Sequence, residues 1–399
     1  MSRNSDRLLL LLAYLGFISL GLPDAVLGIA WPSLRESFQL PQAALGWILS
    51  GHASGYFMSG LFAGRLLVTA GVGSLLAGST ALVTLGVAGY AISPGLVPFA
   101  AAAMVVGWGS GAVDAGLNTH AAVHFRPGQM AWLHAAYSTG AALGSFGMAW
   151  VVVEALGWRL GYAVIAALLG ALTVAFLLTR GRWSMGEKGE SAVDPYPAPR
   201  ALGAFAALSR GRVRLGALVF FVYSGVEFGL GHWAYTILTE ARGLSRGSAA
   251  AAVSAYWALL LFGRVGAGFV IERVGNERLV RAGTCLAAAG SLLFALPGVP
   301  VFCNVAGLVA VGAAIAPIYP GLMSETPRRM GGAAAHAVGF QVSAATAGMV
   351  ALPALGGLLA DRAGLSATAT LILASAIGVL ILHELLVRVT RESVSASSP

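Results

Sequence analysis

Gly21-Leu-Pro-Asp-Ala-Val-Leu-Gly-Ile-Ala-Trp31 decides how this chain is read. It sets a carboxylate, Asp24, inside an apolar run that begins at Leu8. An acid in such a run is expensive, so it marks either a functional site or a polar partner on another segment.

The surrounding composition says what kind of run this is. The chain is 57% hydrophobic and only 10% charged, with a mean hydropathy of +0.80. A soluble domain carries about 25% charged residues. The expected class is therefore an all-α integral membrane protein. The alternating, weakly apolar segments of a β-barrel are absent. Glycine is abundant, at 54 residues, which suits helices that approach closely within a bilayer. The net charge of +8 invites a nucleic-acid reading, but the charges sit between apolar segments, where topology accounts for them. Cys285 and Cys303 each lie in an apolar run and form no disulfide or metal framework. Arg3, Arg7 and the following leucines read as a retained first helix, because no cleavage-site pattern follows them.

About twenty apolar residues span a bilayer. Twelve such segments can be drawn: 8–30, 43–66, 72–91, 95–122, 131–153, 159–179, 213–238, 248–271, 278–296, 299–321, 335–359 and 365–387. A hydrophilic, proline-containing stretch separates them into an N-terminal six-helix bundle (1–179), a linker (180–212) and a C-terminal six-helix bundle (213–399). With the N-terminus inside, eighteen Lys and Arg fall on the inner side and five on the outer, and Arg264 lies within the eighth segment. That asymmetry places both termini and the linker in the cytoplasm of a cell whose inner (plasma) membrane the chain crosses.

The halves repeat. Asp24 and Gly28 match Glu227 and Gly231 at an offset of 203; Gly64 and Gly71 match Gly268 and Gly275 at 204; His134 matches His336 at 202. Two pseudo-symmetric six-helix units are a common transporter plan, with the site near the midplane.

Three acids lie well inside apolar segments: Asp24, Asp114 and Glu227. Low-dielectric surroundings disfavour a charged carboxylate, and a second acid nearby adds to that. A proton-coupled carrier needs such groups, to bind a proton on one side and lose it on the other. The same oxygens also suit Na⁺, and each acid also suits a purely structural role, locking helices through a polar partner. Asn118 shares a helix face with Asp114. His134, Tyr137, Trp233 and Gln341 are further candidates for a hydroxyl-rich solute, which amides and carboxylates bind by hydrogen bonds and aromatic faces bind by the C–H side of a ring. His52 reads as an isolated packing residue, His383 as interfacial, and Trp31 and Trp158 as members of the interfacial aromatic belt. His120 and His124 have the spacing of a metal pair but no third ligand. No nucleotide-binding or catalytic signature appears, so neither an ATP-driven pump nor an enzyme is expected, and no cofactor.

These residues resemble a known family. Asp24 with Gly28 and Trp31-Pro32, Gly111-Ala-Val-Asp-Ala-Gly-Leu-Asn118 with Leu133 to Gly144, Phe221 to Glu227 with Gly231 and Trp233, and Ala316-Pro-Ile-Tyr-Pro320 with Pro353 to Asp361 resemble the major facilitator superfamily. Within it they are most similar to the fucose:proton symporter family, whose relatives include glucose/galactose carriers. The resemblance implies the twelve-helix fold in two halves, and substrate binding and proton coupling by Asp24 and Asp114. Gly263-Arg264 to Gly275 resembles the superfamily's cytoplasmic loop signature better than Gly64-Arg65 to Gly71 does. Asp114 stands where the fucose carrier has a longer glutamate, so the sugar stays open.

The expected function is secondary active transport: proton-coupled symport of a sugar or similar polar solute by alternating access, with Asp24, Asp114 and Glu227 in proton coupling and Asp24, Asn118, His134, Tyr137, Trp233 and Gln341 on the solute. The alternative is a proton antiporter exporting drugs or metabolites. Expected partners are the solute and the lipid bilayer, with the chain a monomer.

Overall fold

Apolar residues run round most of each helix, as in helices that bury one side in protein and turn the other to lipid. The computed structural model describes residues 3–125, 127–183 and 204–395. The elements are helices α1 (Arg3–Asp24), α2 (Leu27–Phe38), α3 (Ala44–Ile92), α4 (Leu96–His124), α5 (Pro127–Val153), α6 (Trp158–Thr179), α7 (Ala204–Leu208), α8 (Gly211–Thr236), α9 (Arg246–Val274), α10 (Asn276–Ala295), α11 (Val301–Ile315), α12 (Ile318–Met330), α13 (Ala334–Ala363) and α14 (Leu365–Ser395). No strand occurs among the described residues. Eleven helical stretches among them are long and apolar enough to cross a membrane.

Three places depart from the twelve straight segments expected. The first segment does not stop at residue 30. It continues through Trp31-Pro32 to Phe38 and is interrupted at Ala25-Val26, immediately after Asp24. The apolar stretch Arg7–Phe38 holds 32 residues. At ~1.5 Å per residue it is about 48 Å long, more than the ~30 Å hydrocarbon core needs. Second, α11 and α12 form one apolar stretch, Val301–Met330, interrupted at Ala316-Pro317. Third, no loop separates the second and third segments. Helix runs on both sides of a single residue, Gly71, at φ 77° and ψ 162°. Open space surrounds the Gly71 α-carbon, so the demand there is for the backbone conformation itself. Gly275, its repeat mate, holds φ 85° and ψ 142° between α9 and α10.

The chain divides into two compact units. One is Met1–Ser191 with Ser245–Trp257, and the other is Ala192–Leu244 with Ala258–Pro399. The linker residues 184–203 lie outside the described residues.

In the first unit, α1 and α5 approach backbone to backbone. A Cβ added at Gly21 would lie 2.1 Å from the Tyr137 carbonyl oxygen, and one at Gly140 would lie 2.0 Å from that of Ile18. α3 and α4 meet in the same way through Gly55 against Met104 and Gly107 against His52. Small residues let helices approach where no hydrophobic force drives them together. Trp31 and Trp158 are not belt residues. Both are buried, with indole N–H groups donated to Gln42 Oε1 at 2.8 Å and Ser37 Oγ at 3.1 Å.

In the second unit, Gly348 of α13 meets the Phe221 carbonyl of α8. α10 and α14 are joined by polar contacts: Arg281 donates to Glu384 at 2.6 and 3.0 Å, and His383 Nδ1 lies 3.2 Å from the same carboxylate. His383 is fully buried rather than interfacial.

Candidate solute and proton site

Asp24 is the last residue of α1, where the helix breaks. Its side chain keeps 19% of its surface exposed. The close contact at Gly21 brings α5 alongside, and Tyr137 donates its hydroxyl to Asp24 Oδ2 at 2.9 Å. The second oxygen, Oδ1, faces His52 Nε2 of α3 at 3.9 Å. That distance is too long for a hydrogen bond and short enough for an ion pair when the imidazole is charged.

Asp114 lies in α4, and donors engage both of its oxygens. Tyr56 of α3 donates its hydroxyl to Oδ2 at 2.7 Å. Asn118 donates its amide to Oδ1 at 2.8 Å and to the Asp114 carbonyl at 3.0 Å, as the shared helix face predicts. His52 and Tyr56 are four residues apart, on one face of α3. That single face therefore reaches both acids. The sequence groups Asp24 with Asp114 and offers Asn118 and Tyr137 as solute candidates; the structure brings Tyr137 to Asp24 and Asn118 to Asp114, and adds His52, expected as a packing residue, and Tyr56, which no sequence motif marks. Their i, i+4 spacing was the one signal in the sequence that could have joined them.

The stretches that carry these residues, 8–34, 40–64, 96–125 and 127–158, hold no Lys or Arg. Asp24 and Asp114 thus sit on stretches that hold no Lys or Arg, the nearest on α1 being Arg7, seventeen residues before Asp24. Asp114, Asn118, Tyr56 and Tyr137 are all partly exposed, as a site open to solute requires.

The remaining candidates lie in the second unit, except His134, whose side chain is outside the described residues. Glu227 is buried and pairs with Arg264 of α9 at 2.9 Å, with the two side chains 5% and 19% exposed. Arg264 belongs to the inward face of α9 with Leu260, opposite the outward Phe262 and Phe269. Trp233 is fully buried and donates its indole N–H to the Pro353 carbonyl at 2.9 Å. Gln341 is buried too and accepts from the Thr326 hydroxyl at 2.9 Å. Among the described residues, no group of three His, Cys, Asp or Glu could hold a metal ion.

Known proteins share this architecture. The "Bypass of stop codon protein 6" of Saccharomyces cerevisiae is 28% identical over 176 residues; the match covers 41% of this chain and 35% of that protein, about a third of its length. A D-xylose-proton symporter superposes with a TM-score of 0.74 at 16% identity, over 94% of this chain and 96% of that one. The nucleoside transporter NupG gives 0.71 at 15% identity, over 96% and 98%. The transporter FucP, in its outward conformation, gives 0.62 at 17% identity, over 96% and 99%. At such identities these structures share the fold. The model of the Major Facilitator Superfamily matches residues 13–344, most of the chain. This multi-pass membrane protein belongs to the Major Facilitator Superfamily.

Proposed function

We propose that the chain is a proton-coupled symporter of a small, hydroxyl-bearing solute of the sugar or nucleoside class, working by alternating access. The observation that supports this most is the pair Asp24 and Asp114, partly exposed, joined by one face of α3, on stretches of chain (8–34 and 96–125) without Lys or Arg. A carboxylate taken out of water is costly unless it is paired or neutralised, which makes the two acids candidates to bind a transported cation. In this proposal the cation is a proton, with Na⁺ as the alternative the uptake assay separates. Asp114, engaged on both oxygens, is assigned to coupling. Asp24, with Oδ1 turned to His52, is assigned to the solute, with Tyr137 and Asn118 as hydroxyl and amide partners. The resemblance to the D-xylose-proton symporter and to the nucleoside transporter supports the solute class. Glu227 is assigned to joining α8 and α9 through Arg264, and Trp233 and Gln341 to packing around α13.

The same proposal counts the arm of α3 before Gly71 as a twelfth span, giving six in each half. It places both termini and the linker in the cytoplasm, in the inner membrane, and takes the chain as a monomer. Proteoliposome uptake of D-xylose, L-fucose and uridine under imposed pH or Na⁺ gradients tests it. An inward proton gradient should drive accumulation of at least one of these, and Asp114→Asn should abolish the accumulation while the protein stays folded. Gradient-driven accumulation at the native level in Asp114→Asn would refute the coupling role.

A further inference from the structure

His52 lies in none of the family-matching motifs, yet its position is not that of a packing residue. The lipid-facing side of α3 is marked by Trp47 and Phe57, at 70% and 65% exposure. His52 is on the inner side with Tyr56, and its side chain is 25% exposed, beside Asp24 Oδ1. The two residues are tied to one rigid stretch of helix, about 6 Å apart along the axis at ~1.5 Å per residue. Between them Gly55 packs so closely that a Cβ would meet the Met104 carbonyl oxygen at 1.9 Å, and Gly107 holds α4 against the His52 carbonyl. The α3–α4 contact is therefore fixed at the level of these side chains.

We propose that His52 and Tyr56 form a coupling face through which the charge state of Asp24 sets that of Asp114. His52 is a positioning residue that acts through Asp24, and Tyr56 carries the effect one helical turn on to Asp114. This rests on the roles proposed for the two acids, Asp114 in coupling and Asp24 at the solute, and adds the link between them. At 3.9 Å, charge on the imidazole and charge on the carboxylate hold each other in place. Histidine is the side chain whose charge changes between about pH 5 and 8. The groups that face this pair include Asp24 from α1, Tyr137 from α5, Asp114 and Asn118 from α4, and Tyr56 from α3 itself. Tyr90, on the far arm of α3, lies within electrostatic reach of Asp24. When Asp24 changes charge, His52 responds, and the changed charge one helical turn from Tyr56 alters that hydroxyl's hold on Asp114 across the fixed α3–α4 contact.

Infrared difference titration of the purified full-length protein in lipid reads this without any solute. Asp24→Asn and Asp114→Asn assign the protonated-carboxyl bands of the two acids. In His52→Gln the midpoint of the Asp24 band should move by about one pH unit or more, and the Asp114 band should move with it. Tyr56→Phe, which leaves His52 in place, should separate the Asp114 band from the Asp24 band. If both bands titrate in His52→Gln as in the native protein, the proposal is overturned. An Asp24 band that moves while the Asp114 band stays also overturns it. Should neither acid give a titrating band in the native protein, the coupling role of the acids fails instead, which is a separate result. His52→Asn serves as a second substitution if His52→Gln does not fold.

Discussion

Glu227 and Asp24, which the sequence repeat matches at an offset of 203, are held in opposite ways. Glu227 is sealed and given a permanent cation, Arg264, at 2.9 Å. Asp24 is half-buried at a helix break and given a hydroxyl and an imidazole. The first arrangement holds charge in place, while the second leaves room for charge to change. Removing one partner of a buried ion pair strands the other, which typically costs about 3–5 kcal/mol. Glu227→Gln and Arg264→Gln should therefore each lower the thermal stability of the detergent-purified protein. The double substitution should cost clearly less than the two losses added. Additive losses would mean that the pair contributes nothing as a pair. Asp24, Asp114, Asn118 and Tyr137 were legible in the sequence because a polar group in an apolar run announces itself. His52 and Tyr56 were not, because their partners arrive from α1 and α4, and nothing within α3 points to them.

Helix contacts decide where these side chains meet. α1 and α5 touch backbone to backbone at Gly21 and Gly140, and that contact carries Tyr137 to Asp24. A methyl at Gly140 would fall 2.0 Å from the Ile18 carbonyl oxygen, while one at Gly147, further along the same helix, would meet nothing within 4 Å. The two positions should respond with opposite signs. Gly140→Ala should destabilise by about 1–3 kcal/mol by forcing the helices apart. Gly147→Ala should be neutral or stabilising by up to ~1 kcal/mol, since alanine is the better helix former. Thermal unfolding in detergent measures both, and equal effects would remove the close α1–α5 contact as the cause. Eleven of the twelve expected segments coincide with described helical stretches long and apolar enough to span a membrane. The interruptions after Asp24 and at Ala316-Pro317 were not readable from hydropathy, because the apolar pattern runs through them unbroken. Gly71 was expected to mark a turn, and it does so as a single residue rather than a loop, since positive φ alone suffices to end one helix and start the next.

Across the whole molecule one pair of repeat-matched glycines behaves alike: Gly71 and Gly275, 204 residues apart, both adopt positive φ at the junction of successive helices. The family match and the superposed structures share the overall fold. Asp24 and Asp114 lie in the first unit and the Glu227–Arg264 pair in the second. Under the proposed function, proton movement accompanies solute movement through the two acids of the first unit. It can be measured directly in proteoliposomes loaded with a pH-sensitive dye and given no imposed gradient. Addition of D-xylose, L-fucose or uridine outside, whichever the native protein carries, should acidify the lumen as the solute enters, and Asp24→Asn/Asp114→Asn should abolish the acidification. Solute entry by the native protein with an unchanged or rising internal pH would contradict proton symport through Asp24 and Asp114.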